Sequence, residues 1–149
     1  LFRSSYLMMN SEIATSVMLG KKLTIVVLDN RGYGCINRLQ RSTGSQSFNN
    51  LLVDAEHDTL PEINFAAHAA SLGAAAEKVA DIAALEAALA RAKRATRTSV
   101  IVIDTDPLKT TDAGGWWWDV AVPEVSARAE VRAARAVYED HIKPKDKAS

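Results

Sequence analysis

Val27-Leu28-Asp29-Asn30-Arg31-Gly32-Tyr33-Gly34 is the stretch on which the fold turns. It closes the β-branched run Leu-Thr-Ile-Val-Val-Leu at 23–28, flanked by Lys21-Lys22 before it and Asp29-Asn30 after it. A continuous apolar run, without alternation, marks a strand covered on both faces, as in parallel sheets. Ligands of open α/β sheets bind beyond the carboxyl ends of such strands. An Asp-Asn pair there offers hard oxygen atoms, and the glycines that follow let backbone approach a phosphate. The same residue types are also the commonest in a plain strand-ending turn, so the octapeptide alone supports both readings.

Working outward, Ser-Val-Ile-Val-Ile at 99–103 repeats the strand pattern and ends at Asp104, and Ala75 to Val79 is a weaker strand. Between them the period changes. Ile82, Leu85, Ala88 and Leu89 recur at helical spacing behind Asp81, a suitable N-cap. Ile63 to Leu72 reads as a helix stopped by Gly73, and Ser5 to Leu19 as one stopped by Gly20. Arg31 to Pro61 is long, polar and irregular, punctuated by Gly32, Gly34 and Gly44. Loops of that length in a compact domain are usually functional or disordered. The order of elements predicts an α/β three-layer sandwich with a mainly parallel sheet and helices on both faces. Past Asp106 an irregular arm, Pro107 to Pro123, carries Trp116-Trp117-Trp118. An amphipathic C-terminal helix, Ser126 to Ile142, follows with Val131, Ala134, Val137 and Tyr138 on one face, and a charged end, Lys143 to Ser149, expected to fray. The chain thus divides into an α/β domain at 1–107 and, at 108–149, an arm and helix that pack on the domain or on a partner.

Composition excludes several function classes. Eighteen basic residues balance eighteen acidic ones in 149, so no net field draws the chain to nucleic acid or an anionic membrane. No apolar run approaches the roughly 20 residues of a membrane span. Asn10, Ser11 and Glu12 interrupt the first segment, which argues against a signal peptide. The single cysteine, Cys35, rules out an internal disulfide and suits a cytoplasmic location; it is expected to be a buried, inert thiol. A first residue of Leu, not Met, suggests a start inside a longer gene product. His57, His68 and His141 are scattered and read as structural or surface residues. Glu86, Arg91, Lys93 and Arg94 read as a solvated helix face, and the tryptophan run as an intersubunit surface or lid, or else as a cap on the domain's own core.

Three elements together carry a family resemblance: Ser5-Tyr6-Leu7-Met8-Met9-Asn10-Ser11-Glu12, the octapeptide, and Ile36-Asn37-Arg38-Leu39-Gln40. Ser42-Thr43-Gly44-Ser45, Phe65-Ala66-Ala67, Ser71-Leu72-Gly73-Ala74 and Gly115-Trp116-Trp117-Trp118-Asp119-Val120 extend it over nearly the whole chain. The sequence resembles the C-terminal cofactor-binding domain of the thiamine-diphosphate-dependent enzymes. Within them it is most similar to the hydrolases that cleave a carbon–carbon bond of a cyclic 1,2-dione, trihydroxycyclohexane-1,2-dione, in inositol breakdown. The resemblance implies that the domain anchors the cofactor's diphosphate through magnesium. Asn30 would give a side-chain ligand and Gly32 a carbonyl, while Asp29 orients the loop. Ser5 would sit near the phosphate, and Tyr33 and Gly34 would shape the wall beside the cofactor ring. It also implies N-terminal pyrimidine-binding and middle domains as partners, a homo-oligomer, and a small-molecule substrate. No residue of this chain is then catalytic, because the activating glutamate belongs to the pyrimidine-binding domain, and the isolated chain is expected to be inactive.

Aligned on Ser5-Tyr6, Phe2-Arg3-Ser4 falls where the family has Gly-Asp-Gly, whose Asp binds the metal. Arginine has no acceptor and cannot ligate magnesium, so metal and cofactor affinity are expected to be poor. Rival readings are an acetolactate-synthase-like or decarboxylase relative of the same superfamily, and a non-catalytic domain that dimerises through the tryptophans and the last helix. A flavodoxin-like nucleotide binder ranks below them, since no phosphate loop follows the first strand.

Overall fold

The structure, a computed structural model, describes residues 2–60, 62–109 and 121–142. The chain forms two compact units, Leu1–Tyr33 with Glu56–Pro107 and Gly34–Ala55 with Leu108–Ser149.

In the first unit the three apolar runs become strands β1 (Thr24–Asp29), β2 (Ala75–Val79) and β3 (Ser99–Asp104). They form one parallel sheet in the order β1-β3-β2, with Val27 opposite Val102 and Val79 opposite Ile103. Period-two alternation sends the central strand to both faces. Val100 and Val102 meet Val27 on one side, and Ile101 and Ile103 join Val79 on the other. Tyr6, Ile13, Phe65 and Ala69 cover the first face, from α1 (Arg3–Met9), α2 (Ser11–Met18) and α4 (Phe65–Ser71). Ala88 and Ala92 of α5 (Ile82–Arg94) cover the second. The expected three-layer α/β arrangement is thus present, and it buries β3 on both sides.

Local chemistry sets the boundaries. Asp81 Oδ1 accepts from the Ala84 N–H at 2.8 Å and Asn64 Oδ1 from Ala67 N–H at 2.9 Å, each capping its helix. Because Asn64 caps, that helix begins at Phe65 and not at Ile63. Gly73 has φ +94°, and a Cβ there would lie 3.1 Å from Val17, so only glycine ends α4 without strain. The helix expected over 5–19 begins at Arg3 and is interrupted at Asn10, whose side chain donates to the Leu7 carbonyl at 3.1 Å. Such side-chain bonding competes with the helical ladder.

In the second unit the supposed loop contains a helix, α3 (Gly34–Ser42), and a short 3₁₀ turn, Leu52–Asp54. Helix α6 (Ala129–Ile142) starts three residues later than expected, and its Val131 and Tyr138 pack with Val122. Gly44, at φ +81°, backs onto α6: an added Cβ would stand 2.4 Å from the Glu130 carbonyl oxygen. Ser47 Oγ lies 2.5 Å from Asn37 Oδ1 and also meets the Asp54 carboxylate. The tryptophan run 116–118 and the end 143–149 lie outside the described residues.

Candidate functional site

Strand β1 ends at Asp29, which is buried, and its carbonyl still accepts from Thr105 N–H at 3.0 Å. Its carboxylate then takes the next turn in hand. Asp29 Oδ1 accepts from the Arg31 N–H at 3.1 Å, a side-chain turn that leaves Arg31 left-handed at φ 56°. A left-handed non-glycine residue is disfavoured by about 1 kcal/mol, and such residues gather at functional turns.

Phe2 pairs with Leu28 in a parallel bridge, which brings Arg3 to the same end of the sheet. There Arg3 Nε stands 3.7 Å from Asp29 Oδ1, and Arg31 Nε 3.8 Å from Asp29 Oδ2. Arg31 continues to Asp104 at 3.9 Å, and Lys78 meets the same Asp104 at 2.9 Å. The carboxyl ends of all three strands therefore carry one chain of charges, three cations to two carboxylates. The Arg3 side chain is 11% exposed, and its guanidinium carbon lies 5.7 Å from the centre of the Phe65 ring.

Asn30, at 6% exposure, is the other unusual residue, because its Oδ1 is buried without a hydrogen-bond partner. An orphaned acceptor of this kind costs about 1–3 kcal/mol and calls for a cation or a donor. Gly32, two residues on, is buried, while Tyr33 is half exposed. Asp29, Asn30, Gly32 and Tyr33 thus share one turn at the end of β1. Ser5 lies in the first turn of α1 and makes no side-chain hydrogen bond to that turn among the described residues. Gly34 opens α3 in the second unit.

No group of three or more His, Cys, Asp or Glu among the described residues is placed to hold a metal ion. The residues still fit magnesium in part. Asn30 Oδ1 is a neutral oxygen in want of a cation, but Asp29 is already flanked by two guanidiniums. A metal on this turn would meet neutral oxygens and an Asp29 carboxylate already paired with cations. His68 is structural: its Nδ1 lies 2.8 Å from the hydroxyl of Tyr6. Cys35 is exposed in the first turn of α3, not buried, because that segment is a helix with Asn37 as its inward residue. The roles of Arg31 and Lys78 were missed from sequence; a lysine one position before a strand's carboxyl end was the available signal.

Residues 4–103 match the family model for the thiamine pyrophosphate enzyme, C-terminal TPP binding domain. The chain is 36% identical over 150 residues to 3D-(3,5/4)-trihydroxycyclohexane-1,2-dione hydrolase 2 of Bacillus cereus, covering 97% of this chain and 23% of that protein. It is 34% identical over 145 residues to the 3D-(3,5/4)-trihydroxycyclohexane-1,2-dione hydrolase of Geobacillus thermodenitrificans, covering 93% of this chain and again 23% of the relative. Among solved structures, benzoylformate decarboxylase from Polynucleobacter necessarius superposes with a TM-score of 0.61 at 23% identity, over 72% of this chain and 19% of that one. This last likeness speaks to the fold alone. The chain spans under a quarter of the length of each of these relatives.

Proposed function

Given that the chain belongs to the thiamine pyrophosphate enzymes, whose C-terminal cofactor-binding domain matches residues 4–103, we propose that the turn after β1 anchors the diphosphate of that cofactor. The observation that carries the proposal is the orphaned Oδ1 of Asn30, buried at the carboxyl end of a parallel strand. In this reading Asn30 Oδ1 and the Gly32 carbonyl would hold a magnesium ion. Asp29 fixes the turn by accepting from Arg31 N–H. Ser5 would lie on the phosphate side and Tyr33 beside the cofactor ring. When bound, thiamine diphosphate supplies a carbon nucleophile and an electron sink for breaking a bond next to a carbonyl. This chain's residues only bind and orient; none of them is assigned a catalytic role.

The parent reaction we propose is hydrolytic cleavage of a carbon–carbon bond in a cyclic 1,2-dione, the substrate class named for the 34–36% identical relatives. It takes place in a cytoplasmic homo-oligomer in which this domain is joined by N-terminal pyrimidine-binding and middle domains, and the isolated chain is inactive. A decarboxylase of the same superfamily shares the fold, and product analysis of the complete enzyme with a cyclic dione and with a 2-oxo acid separates the two.

Calorimetric titration of thiamine diphosphate with magnesium tests the anchor. Asn30→Ala is expected to weaken binding about tenfold, the worth of one hydrogen bond or ligand to a charged partner. Unchanged affinity in the variant would remove Asn30 from the site.

A further inference from the structure

Building on that diphosphate site, we infer that Arg3 is itself a ligand of the diphosphate, so that this chain takes the anion first and the divalent cation only afterwards. Arg3 is nearly enclosed, yet its closest approach to Asp29 is 3.7 Å, beyond hydrogen-bond distance. No hydrogen bond among the described residues takes up its guanidinium N–H groups. The group is held in place by the ring of Phe65 and the charge of Asp29, with no hydrogen bond from it to a described residue. A guanidinium presents five N–H donors in a fixed fork that matches phosphate oxygens, so one already immobilised loses little freedom on binding.

The charges point the same way. Asp29 is shared by Arg3 and Arg31, and Asp104 by Arg31 and Lys78, leaving the cluster one positive charge in excess. Such a surface repels a free divalent cation and attracts a diphosphate. The Arg31 contacts, at 3.8 and 3.9 Å on a half-exposed side chain, are loose enough for that residue to turn toward an incoming anion. Asn30 Oδ1 and the Gly32 carbonyl remain as the turn's oxygens for a metal, but aqueous magnesium dehydrates reluctantly and two neutral oxygens do not hold it. Once phosphate oxygens are in place the ion has its charged ligands, and Asn30 Oδ1 gains the partner it lacks.

The experiment uses the 149-residue chain with inorganic pyrophosphate as probe. Pyrophosphate is titrated calorimetrically in EDTA and again with Mg²⁺, while free Mn²⁺ is followed by electron paramagnetic resonance before and after pyrophosphate is added. Pyrophosphate is expected to bind in EDTA, with Mn²⁺ remaining free until the anion is present. Arg3→Ala is expected to weaken pyrophosphate binding in EDTA by about tenfold or more, and Arg3→Lys, which keeps the charge and loses the fork, by less. Binding that requires metal, Mn²⁺ uptake by the chain alone, or an Arg3→Ala variant that binds as before in EDTA would each overturn the inference. The EDTA and Mn²⁺ measurements on the unsubstituted chain decide the order even if the variant does not fold. If pyrophosphate binds neither with metal nor without it, the diphosphate site itself is refuted; binding only with metal leaves that site standing and removes the role given to Arg3.

Discussion

Tyr6 is 1% exposed, and its hydroxyl lies 2.8 Å from His68 Nδ1 across the contact between α1 and α4. Its ring also meets Phe65 edge-on at 5.2 Å, so one side chain ties the helix that carries Arg3 to the helix that supports Arg3 from below. Tyr6→Phe keeps the ring and deletes the hydrogen bond, and is expected to lower stability by about 0.5–1.5 kcal/mol in urea denaturation. Burial raises the phenol's pKa above its ordinary 10.0. A group whose folded pKa is raised favours the folded state fully while it stays protonated, below the unfolded value. The contribution is lost as pH climbs from about 10 through the folded pKa. Unfolding followed against pH is therefore expected to show an alkaline loss of stability that is smaller in Tyr6→Phe. Equal slopes for the two proteins would show that the phenol is not the group responsible.

At the scale of elements, α5 begins because Asp81 caps it, and Asp81→Ala is expected to lower stability by about 1 kcal/mol in thermal or urea denaturation. A loss within measurement error would mean that packing of Ala88 and Ala92 fixes the helix without its cap. Asp81 was visible in the sequence because a cap and a helical period lie side by side there, and β1 and β3 were visible as unbroken β-branched runs. Helix α3 was not. Its inward residue is Asn37, so no apolar period announces it, and Gly34 at its start looks like a loop residue. The break at Asn10 was hidden for another reason: the backbone there stays helical, at φ −66° and ψ −25°, and only a side-chain hydrogen bond marks the interruption. The candidate site divides along the same line. Asp29, Asn30 and Gly32 are neighbours in the chain, so their meeting at a strand end could be read directly. The pairing of Arg3 with Asp29 depends on the Phe2–Leu28 bridge and that of Lys78 with Asp104 on sheet order β1-β3-β2, neither of which local pattern encodes.

For the molecule as a whole, the central strand links the core to the site. β3 sends Ile101 into the layer under α5 and ends at Asp104, which holds Arg31 and Lys78. Ile101→Ala is expected to destabilise the first unit by about 2–5 kcal/mol, through lost burial and the cavity left behind. The substitution lies in the core and removes no charged group, so the diphosphate site is expected to survive in whatever fraction remains folded. A ligand that binds only the folded chain stabilises it by mass action, about 2.7 kcal/mol at a hundred times its dissociation constant. Pyrophosphate in EDTA is therefore expected to raise the thermal midpoint of the unsubstituted chain and to restore a large part of what Ile101→Ala removes. The comparison has a built-in control in Arg3→Ala, whose midpoint is expected to respond far less to the same pyrophosphate concentration. A midpoint that stays put in the unsubstituted chain at saturating pyrophosphate, with or without Mg²⁺, would show that the carboxyl end of this sheet is a network of ion pairs serving the fold alone.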